Sequence, residues 1–443
     1  MMEYLEGVKR AETLEIGELL EQTEGTEVKV NGAVHTIRDM GNVAFVILRK
    51  RDGLVQCVFE EGVTAFDLKE LKEASAVEVV GTVRKEERAA HGIELRLKEI
   101  RVLSEPDEPL PLPISKWKLN TSLEAKLNMR PISLRNVRER AKFKIQEGLV
   151  RGFRDFLYEQ GFTEIHTPKL VAAGAEGGAN IFSLSYFGEQ AYLAQSPQFY
   201  KQMMVGVFER VYEIAPVFRA EKHDTARHLN EYTSVDFEMG YIENFEDIMA
   251  MEQEMLRYTF GRLQETCGAE LSLLKAEVPV ITEIPRIRFS EAKELVSRVY
   301  KRAFSEKLDF EPEEEKLLCE YVKKTTGSDF VFVTHYPSAK RPFYAMDSRE
   351  NPAETESFDL LFRGLEVTTG GQRIHNYREQ VEKIESRGMH VEAFESYLMM
   401  HRCGMPPHGG LGLGLERFTA RLLGFENVRN ASLFPRDIHR LIP

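Results

Sequence analysis

The 443-residue sequence predicts an α+β chain, with a small N-terminal all-β barrel followed by a larger domain built on an antiparallel sheet flanked by helices. Three observations carry this. Residues 27 to 103 alternate apolar and polar side chains in short runs rich in Val and Ile, the period-two signature of half-buried strands. Four prolines then fall within eight residues of SEPDEPLPLPISKW, where fixed φ and missing amide donors stiffen the chain and break regular structure. Beyond them the apolar period shifts to helical spacing, and strand-like and helix-like runs share the chain to its C-terminus.

The barrel strands are read in EVKVNGAVHTI, NVAFVILRKRDGLVQCVFE, AVEVVGTVRKE and GIELRLKEIRVL, with Gly, Asn or Asp at the breaks. TAFDLKELKEAS, after the third run, predicts a helical insert. About five short strands with a helix between the third and fourth is the layout of an OB-fold, a frequent single-strand nucleic-acid binder; another small barrel fits the same pattern. The expected division is a barrel over 1–104, a Pro-rich connector over 105–135 and a second domain over 136–443. In that domain RNVRERAKFKIQEGLVRGFRDFLYEQG has helical spacing and a Gly161 stop, and FTEIHTPKLV reads as a strand ending near Pro168. QAYLAQS, RVYEIAPVFRAE, YTSVDFEMGYI, FVFVTHYP, SFDLLFRGLEVTTGG and GGLGLGL are expected in one antiparallel sheet. Helices are read in FEDIMAMEQEMLRYTFGRLQET and SEAKELVSRVYKRAF.

Composition narrows the function. With 42% hydrophobic and 29% charged residues the chain resembles an ordinary globular protein, and no stretch approaches the roughly 20 apolar residues of a membrane span. Four scattered cysteines without paired spacing argue against a disulfide framework or zinc cluster and fit a reducing cytoplasm. A net charge of -12 argues against indiscriminate nucleic-acid binding, not against a local basic face. Neither a P-loop nor a Rossmann glycine fingerprint is found.

Two segments carry chemistry. VFRAEKHDTARHLNEYTSVDFEMGY reads as a hairpin whose bend holds Arg219, Arg227 and His228. Guanidinium forks match phosphate oxygens, and Tyr232 on the return strand offers a stacking face. GMPPHGGLGLGLERFTARLLG places five glycines before Glu416 and Arg417, clearing room for a ligand beside a strand that runs into a helix.

With the helix-strand-Pro168 element, these segments match in order the three signature motifs of class II aminoacyl-tRNA synthetases. AEGGANIF, YLAQSPQFYKQ, SVDFEM, RPFYAM, GLEVTTGGQRIH and LFPRDIHRL resemble the aspartyl-tRNA synthetases of the archaeal and eukaryotic type, over nearly the whole chain from about residue 20. The resemblance implies activation of L-aspartate by ATP and transfer to the 3′ end of tRNA. It implies that Arg219 holds the α-phosphate, Glu221 the adenine edge and Tyr232 an adenine face. Arg227 and His228 would reach the outer phosphates, and Arg417 the other ring face and γ-phosphate. Glu366 and Thr369 match the metal pair, with one to three Mg²⁺ bridging the phosphates. Lys201 and Arg373 match the cations clamping the substrate side-chain carboxylate, with Asp236 fixing Lys201. Glu176 matches the acceptor for the substrate ammonium, and Ser196 and Gln198 line the same wall. Two cations suit an anion and would be underpaired by a neutral amide. The family's helix and strand around Pro168 form a homodimer interface.

In the barrel the resemblance matches Phe45 to the aromatic under an anticodon base, Gln56 to the reader of the central U, and Arg38 to a basic contact. Read as an apolar strand, NVAFVIL also allows Phe45 a place in the core. His35 falls where this enzyme type carries Trp if it charges only tRNA-Asp and His if it also accepts tRNA-Asn, so acceptance of both is implied; Ala90 matches neither pattern. RKRDG places Lys50 where an Asp is usual, and AAGAEGGAN carries Ala or Gly where Thr and Ser are common. The alternatives are an asparaginyl-tRNA synthetase, a non-catalytic tRNA-binding paralogue and, disfavoured by the barrel, an asparagine synthetase of related fold.

Overall fold

The computed structural model describes residues 12–172, 174, 180–222 and 225–443, in two compact units, Met1–Arg140 and Ala141–Pro443. In the first, a short helix α1 (Ile16–Leu20) precedes strands β1 (Glu27–Asp39), β2 (Val43–Arg49), β3 (Leu54–Glu60), β4 (Ala76–Lys85) and β5 (Ile93–Ser104). They close a barrel in the order β1-β2-β3-β5-β4, and the fold of this unit is an OB-fold. Alternation decides which side chains enter: in β4 every second residue from Val77 to Val83 is buried. Val30, Val46, Leu48, Cys57, Val79 and Leu95 fill the interior. At the β4–β5 bulge a Cβ on Gly81 would lie 2.8 Å from the Arg96 carbonyl, so only glycine lets the strands close there.

The expected insert helix is a correction. TAFDLKELKEAS makes only a three-residue 3₁₀ turn, Leu68–Glu70, which the Asp67 side chain starts by accepting from the Lys69 amide. Ala74 at φ 74° ends any continuation, and Glu73 is drawn off to β1, where it accepts from Thr36 Oγ1 at 2.7 Å and the Ile37 amide at 3.1 Å. Small helices α2 (Leu123–Asn128) and α3 (Arg130–Ser133) follow the prolines.

The second unit carries most of the long helix α4 (Val137–Glu159), then β6 (Thr163–Glu164), β7 (Leu170–Val171), β8 (Ser183–Tyr186), β9 (Glu189–Leu193), α5 (Gln198–Phe208), β10 (Arg210–Phe218) and β11 (Glu231–Gly240). Next come α6 (Glu246–Thr266), α7 (Gly268–Leu274), β12 (Arg286–Arg288), α8 (Phe289–Tyr300), α9 (Pro312–Thr326) and β13 (Phe330–Thr334). The chain ends through β14 (Ser357–Phe362), β15 (Leu365–Gln372), α10 (Tyr377–Ser386), α11 (Glu395–Cys403), β16 (His408–Gly414) and α12 (Leu415–Leu422). An eight-stranded sheet runs β12-β13-β14-β15-β16-β11-β10-β6, antiparallel except for the parallel pairs β12–β13 and β10–β6 at its edges. The fold is therefore α+β.

Three strand expectations need correction. QAYLAQS contributes β9 to a separate three-stranded sheet, β7-β9-β8, rather than to the main one. FTEIHTPKLV splits into β6 and β7, in different sheets. SFDLLFRGLEVTTGG folds back on itself as β14 and β15, because Arg363 and Gly364 adopt φ 46° and 84°, a tight turn glycine makes easy.

One sheet face is packed by α4, α6 and α12, where Phe153, Phe260, Phe330, Phe362 and Phe418 stack edge to face and face to face. Val235, Phe237 and Met239 of β11 point into this core, so the alternate residues Tyr232, Ser234, Asp236 and Glu238 project from the other face. Strand β16 lies between β15 and β11, and its glycines let polar groups crowd against it. A Cβ on Gly410 would stand 2.1 Å from the Phe237 carbonyl and 2.3 Å from Glu238 Oε2.

Candidate active site

The polar face opens into a cavity of about 590 Å³. Its walls gather Ser196, Gln198, Lys201, Arg219, Glu221, Arg227, His228, Tyr232, Asp236, Glu366, Thr369, Arg373 and Arg417, every second-unit residue singled out from the sequence except Glu176. Glu176 lies outside the described residues.

At one end sits a buried ionic cluster. Lys201, one turn into α5, is 1% exposed; its ammonium donates to Asp236 Oδ1 at 2.9 Å and the Leu411 carbonyl at 2.8 Å, and lies 3.3 Å from Glu238 Oε2. Asp236 also accepts from the Ser234 hydroxyl. Arg373, just past β15, donates through Nε to Glu238 Oε1 at 2.8 Å and through Nη2 to the Gly410 carbonyl at 2.9 Å. Glu238 thus holds both cations. Burial would raise its carboxyl, but Arg373 and Lys201 outweigh burial and keep it below the ordinary range. The sequence reading assigned one protein carboxylate, Asp236, to this pair, and the structure adds a second. Glu238 was missed, although the alternation of SVDFEM puts it on the same face two residues on.

The phosphate end is built by the β10–β11 hairpin. Its register pairs Val217 with Tyr232 and Phe218 with Glu231, and the Asn230 amide group ties the bend by donating to the carbonyls of Arg219 at 2.8 Å and Glu221 at 3.0 Å. The Arg219 guanidinium lies 5.9 Å from the Tyr232 ring centre. His228 sits 3.6 Å from Glu221 and 2.6 Å from the Thr225 hydroxyl. Arg417, in the first turn of α12, links the bend to β15: its Nε donates to the Arg227 carbonyl at 3.2 Å, and Nη1 lies 3.5 Å from Glu366 Oε1. Its neighbour Glu416 turns inward, accepting the Thr233 amide at 3.0 Å, and burial pushes its carboxyl up to about 7.

Around Glu366 two further acids, each paired with an arginine, come together with Arg417. Thr369 Oγ1 donates to Glu366 Oε1 at 3.3 Å. Glu315, from α9, accepts the Glu366 amide at 3.1 Å and pairs with Arg227, and burial raises its carboxyl to about 7 despite that arginine. Asp359 pairs with Arg341 at 2.7 Å and is raised by burial, with Glu366 adding to the rise. Glu315 was not singled out from the sequence, since nothing in EPEEEK marks one glutamate of the run as buried. Among the described residues no three His, Cys, Asp or Glu side chains form a metal cage. Glu366 and Thr369 nevertheless offer hard oxygens on the cavity wall. That fits Mg²⁺, which binds few protein oxygens and completes its shell with phosphate and water.

In the barrel, cross-strand pairing sets Arg38 opposite Phe45 and Ile47 opposite Gln56, which places Arg38, Phe45 and Gln56 on one face. Phe45 alternates with the core residues Ala44 and Val46 and points outward. Gln56 Nε2 donates to Glu94 Oε2 at 3.0 Å. His35 is 3% exposed at the β1 bulge, and burial, then Arg49, lowers its imidazole to about 4. Ala90 lies in a 3₁₀ turn between β4 and β5.

Comparison with known proteins agrees with this geometry. Residues 122–438 match the family described as tRNA synthetases class II (D, K and N), and residues 28–103 match the OB-fold nucleic acid binding domain. The chain is 50% identical over 430 residues to the aspartate–tRNA(Asp/Asn) ligase of Deinococcus radiodurans, covering 96% of this chain and 97% of the relative. It is 40% identical over 433 residues to the aspartate–tRNA(Asp) ligase of Pyrococcus abyssi, covering 96% and 98%. Among solved structures, the asparaginyl-tRNA synthetase of Pyrococcus horikoshii with asparaginyl-adenylate superposes with a TM-score of 0.90 at 30% identity, over 98% of this chain and all of that one. The aspartyl-tRNA synthetase of Entamoeba histolytica gives 0.87 at 30%, over 97% and 93%. The scaffold alone therefore does not separate an acid from its amide, and the pocket must.

Proposed function

Because the chain belongs to the class II tRNA synthetases of the aspartate, lysine and asparagine group, we propose that it is the aspartate enzyme of that group, charging both tRNA-Asp and tRNA-Asn. The observation that carries this is the buried pair Lys201 and Arg373, both lining the cavity and both held by Glu238. Their positions are set before substrate arrives, so a side-chain carboxylate gains two oriented donors at little ordering cost. A neutral amide offers no charge to them, and desolvating the cluster against it costs a few kcal/mol, on the order of two decades of selectivity.

In the first step an oxygen of the aspartate α-carboxylate attacks the α-phosphorus of ATP, and pyrophosphate leaves. Arg219 takes the charge growing on the α-phosphate oxygens, while Tyr232 and Glu221 hold the base. Arg227, His228 and Arg417 bend the outer phosphates away from the attacked atom. Glu366 and Thr369 would hold Mg²⁺, which supplies further charge neutralisation to the phosphates. In the second step a hydroxyl of the terminal adenosine of tRNA attacks the acyl carbon and AMP leaves. Phe45, Arg38 and Gln56 form the platform for an unstacked anticodon base. Acceptance of tRNA-Asn is supported by the Asp/Asn naming of relatives as similar as that of Deinococcus radiodurans.

A homodimer is supported by large apolar side chains left exposed in the first motif, Tyr158 and Leu170. The strong superposition on an asparaginyl enzyme keeps asparagine as the second reading. Aminoacylation of purified tRNA-Asp and tRNA-Asn, each with aspartate and with asparagine, tests the whole proposal. Aspartate is expected on both tRNAs. Asparagine on tRNA-Asn would overturn the amino-acid assignment, and charging of tRNA-Asp alone would overturn the tRNA range.

A further inference from the structure

Outside the active site, the first unit holds a second cavity of about 460 Å³, bounded by β1, the end of β2, the start of β4 and Arg140. Its charged lining is Arg49, Lys50, Arg51 and Arg140 against one carboxylate, Glu15. That carboxylate already has cations beside it, Lys50 at 3.4 Å and Arg51 at 3.9 Å. Lys50 is buried and committed, donating to Asn31 through the backbone carbonyl at 2.9 Å and Oδ1 at 3.0 Å. Arg140 donates to the Lys50 carbonyl at 2.8 Å.

Arg49 is different. Its Nη1 is buried without a hydrogen-bond partner among the described residues, and a buried donor left unmade costs about 1–3 kcal/mol. Burial and the like charges of Arg135 and Arg140 lower its guanidinium to about 10. The same field reaches His35, whose Nδ1 is also buried and without a hydrogen-bond partner among the described residues. An unmade donor, several cations and a cavity together call for an anion. We propose that this cavity binds a phosphate group, contributed either by the backbone of bound tRNA or by free inorganic phosphate. A phosphate's tetrahedral oxygens can be shared by guanidinium forks that approach from several sides, which a planar carboxylate cannot match. The tRNA source rests on the synthetase reading above; the free-phosphate source does not.

The test uses the full-length protein, its active site filled with a non-hydrolysable aspartyl-adenylate analogue, titrated with inorganic phosphate and followed by ³¹P line width. The parent should show saturable binding that Arg49→Gln weakens at least tenfold, with Arg49→Lys between them. In parallel, the slope of log affinity for tRNA against log salt is compared in parent and variant. A slope smaller by about one in Arg49→Gln assigns a tRNA phosphate to the cavity. Lost phosphate binding with an unchanged slope assigns free phosphate. A substitution that alters neither overturns the proposal. Should Arg49→Gln fail to fold by circular dichroism, Arg140→Gln, outside the barrel strands, replaces it with the same readouts. Failure of the synthetase reading is separate: it would appear as absent aspartate-dependent pyrophosphate exchange in the parent.

Discussion

Replacing Lys201 by methionine keeps an unbranched side chain one atom shorter and removes its charge from a site that is 1% exposed. In the parent, two cations face Asp236 and Glu238; in the variant, Arg373 alone must serve both, with Asp236 losing its 2.9 Å partner. Removing one member of a buried ion pair costs about 3–5 kcal/mol, because the other charge is left uncompensated. Part of that is recovered by proton uptake, since Lys201 is one of the two cations keeping the Glu238 carboxyl low. A bound aspartate meets the same deficit, with one donor fewer and two acids nearby. At about 1.4 kcal/mol per decade, the penalty lowers kcat/KM for aspartate by roughly two to three and a half decades. Aspartate-dependent exchange of pyrophosphate into ATP measures it, and ATP binding by calorimetry should persist. A Lys201→Met variant with the parental KM for aspartate and parental exchange would refute the electrostatic reasoning.

Other outcomes follow from single contacts. Glu252, in α6, is fully buried and raised by burial to about 8, well above the usual 4.5, so the folded protein holds its proton while the unfolded chain has released it. Stability from this group is full below pH 4.5 and declines as pH rises towards 8, by up to about 1.4 kcal/mol per pH unit. Urea melts of Glu252→Gln should therefore fall less between pH 5 and 8 than those of the parent. Gly410→Ala puts a methyl 2.1 Å from the Phe237 carbonyl in the central strands, and should yield little folded protein on size exclusion. Phe45→Ala should raise KM for tRNA by about 5- to 150-fold, the roughly 1–3 kcal/mol of one base stack, and an unchanged KM would remove Phe45 from the platform.

The sequence revealed most where side chains alternate under one dominant constraint. Strand β4 and the Tyr232–Glu238 face of β11 follow from period two alone, because one side of each must be apolar. The hairpin bend and the glycine strand were legible because close approach and phosphate binding need unusual residues in dense patterns. Long-range partners were not legible. Glu315 reaches Arg227 and Glu366 only through the packing of α9, and nothing in EPEEEK marks one glutamate as buried. Sheet membership was equally hidden: QAYL alternates as well as any strand of the main sheet, yet pairs with β7 and β8. TAFDLKELKEAS has helical composition, but Glu73 gains more by closing hydrogen bonds on β1 than by extending a turn. His35 shows that matching a position does not fix its exposure.

The choice between an acid and its amide is the centre of the account, and pyrophosphate exchange with the unmodified protein tests it most directly. With ATP and Mg²⁺ present, aspartate should drive exchange and asparagine at equal concentration should not, by at least about a hundredfold. Exchange driven equally well by asparagine would contradict the role given to Lys201 and Arg373.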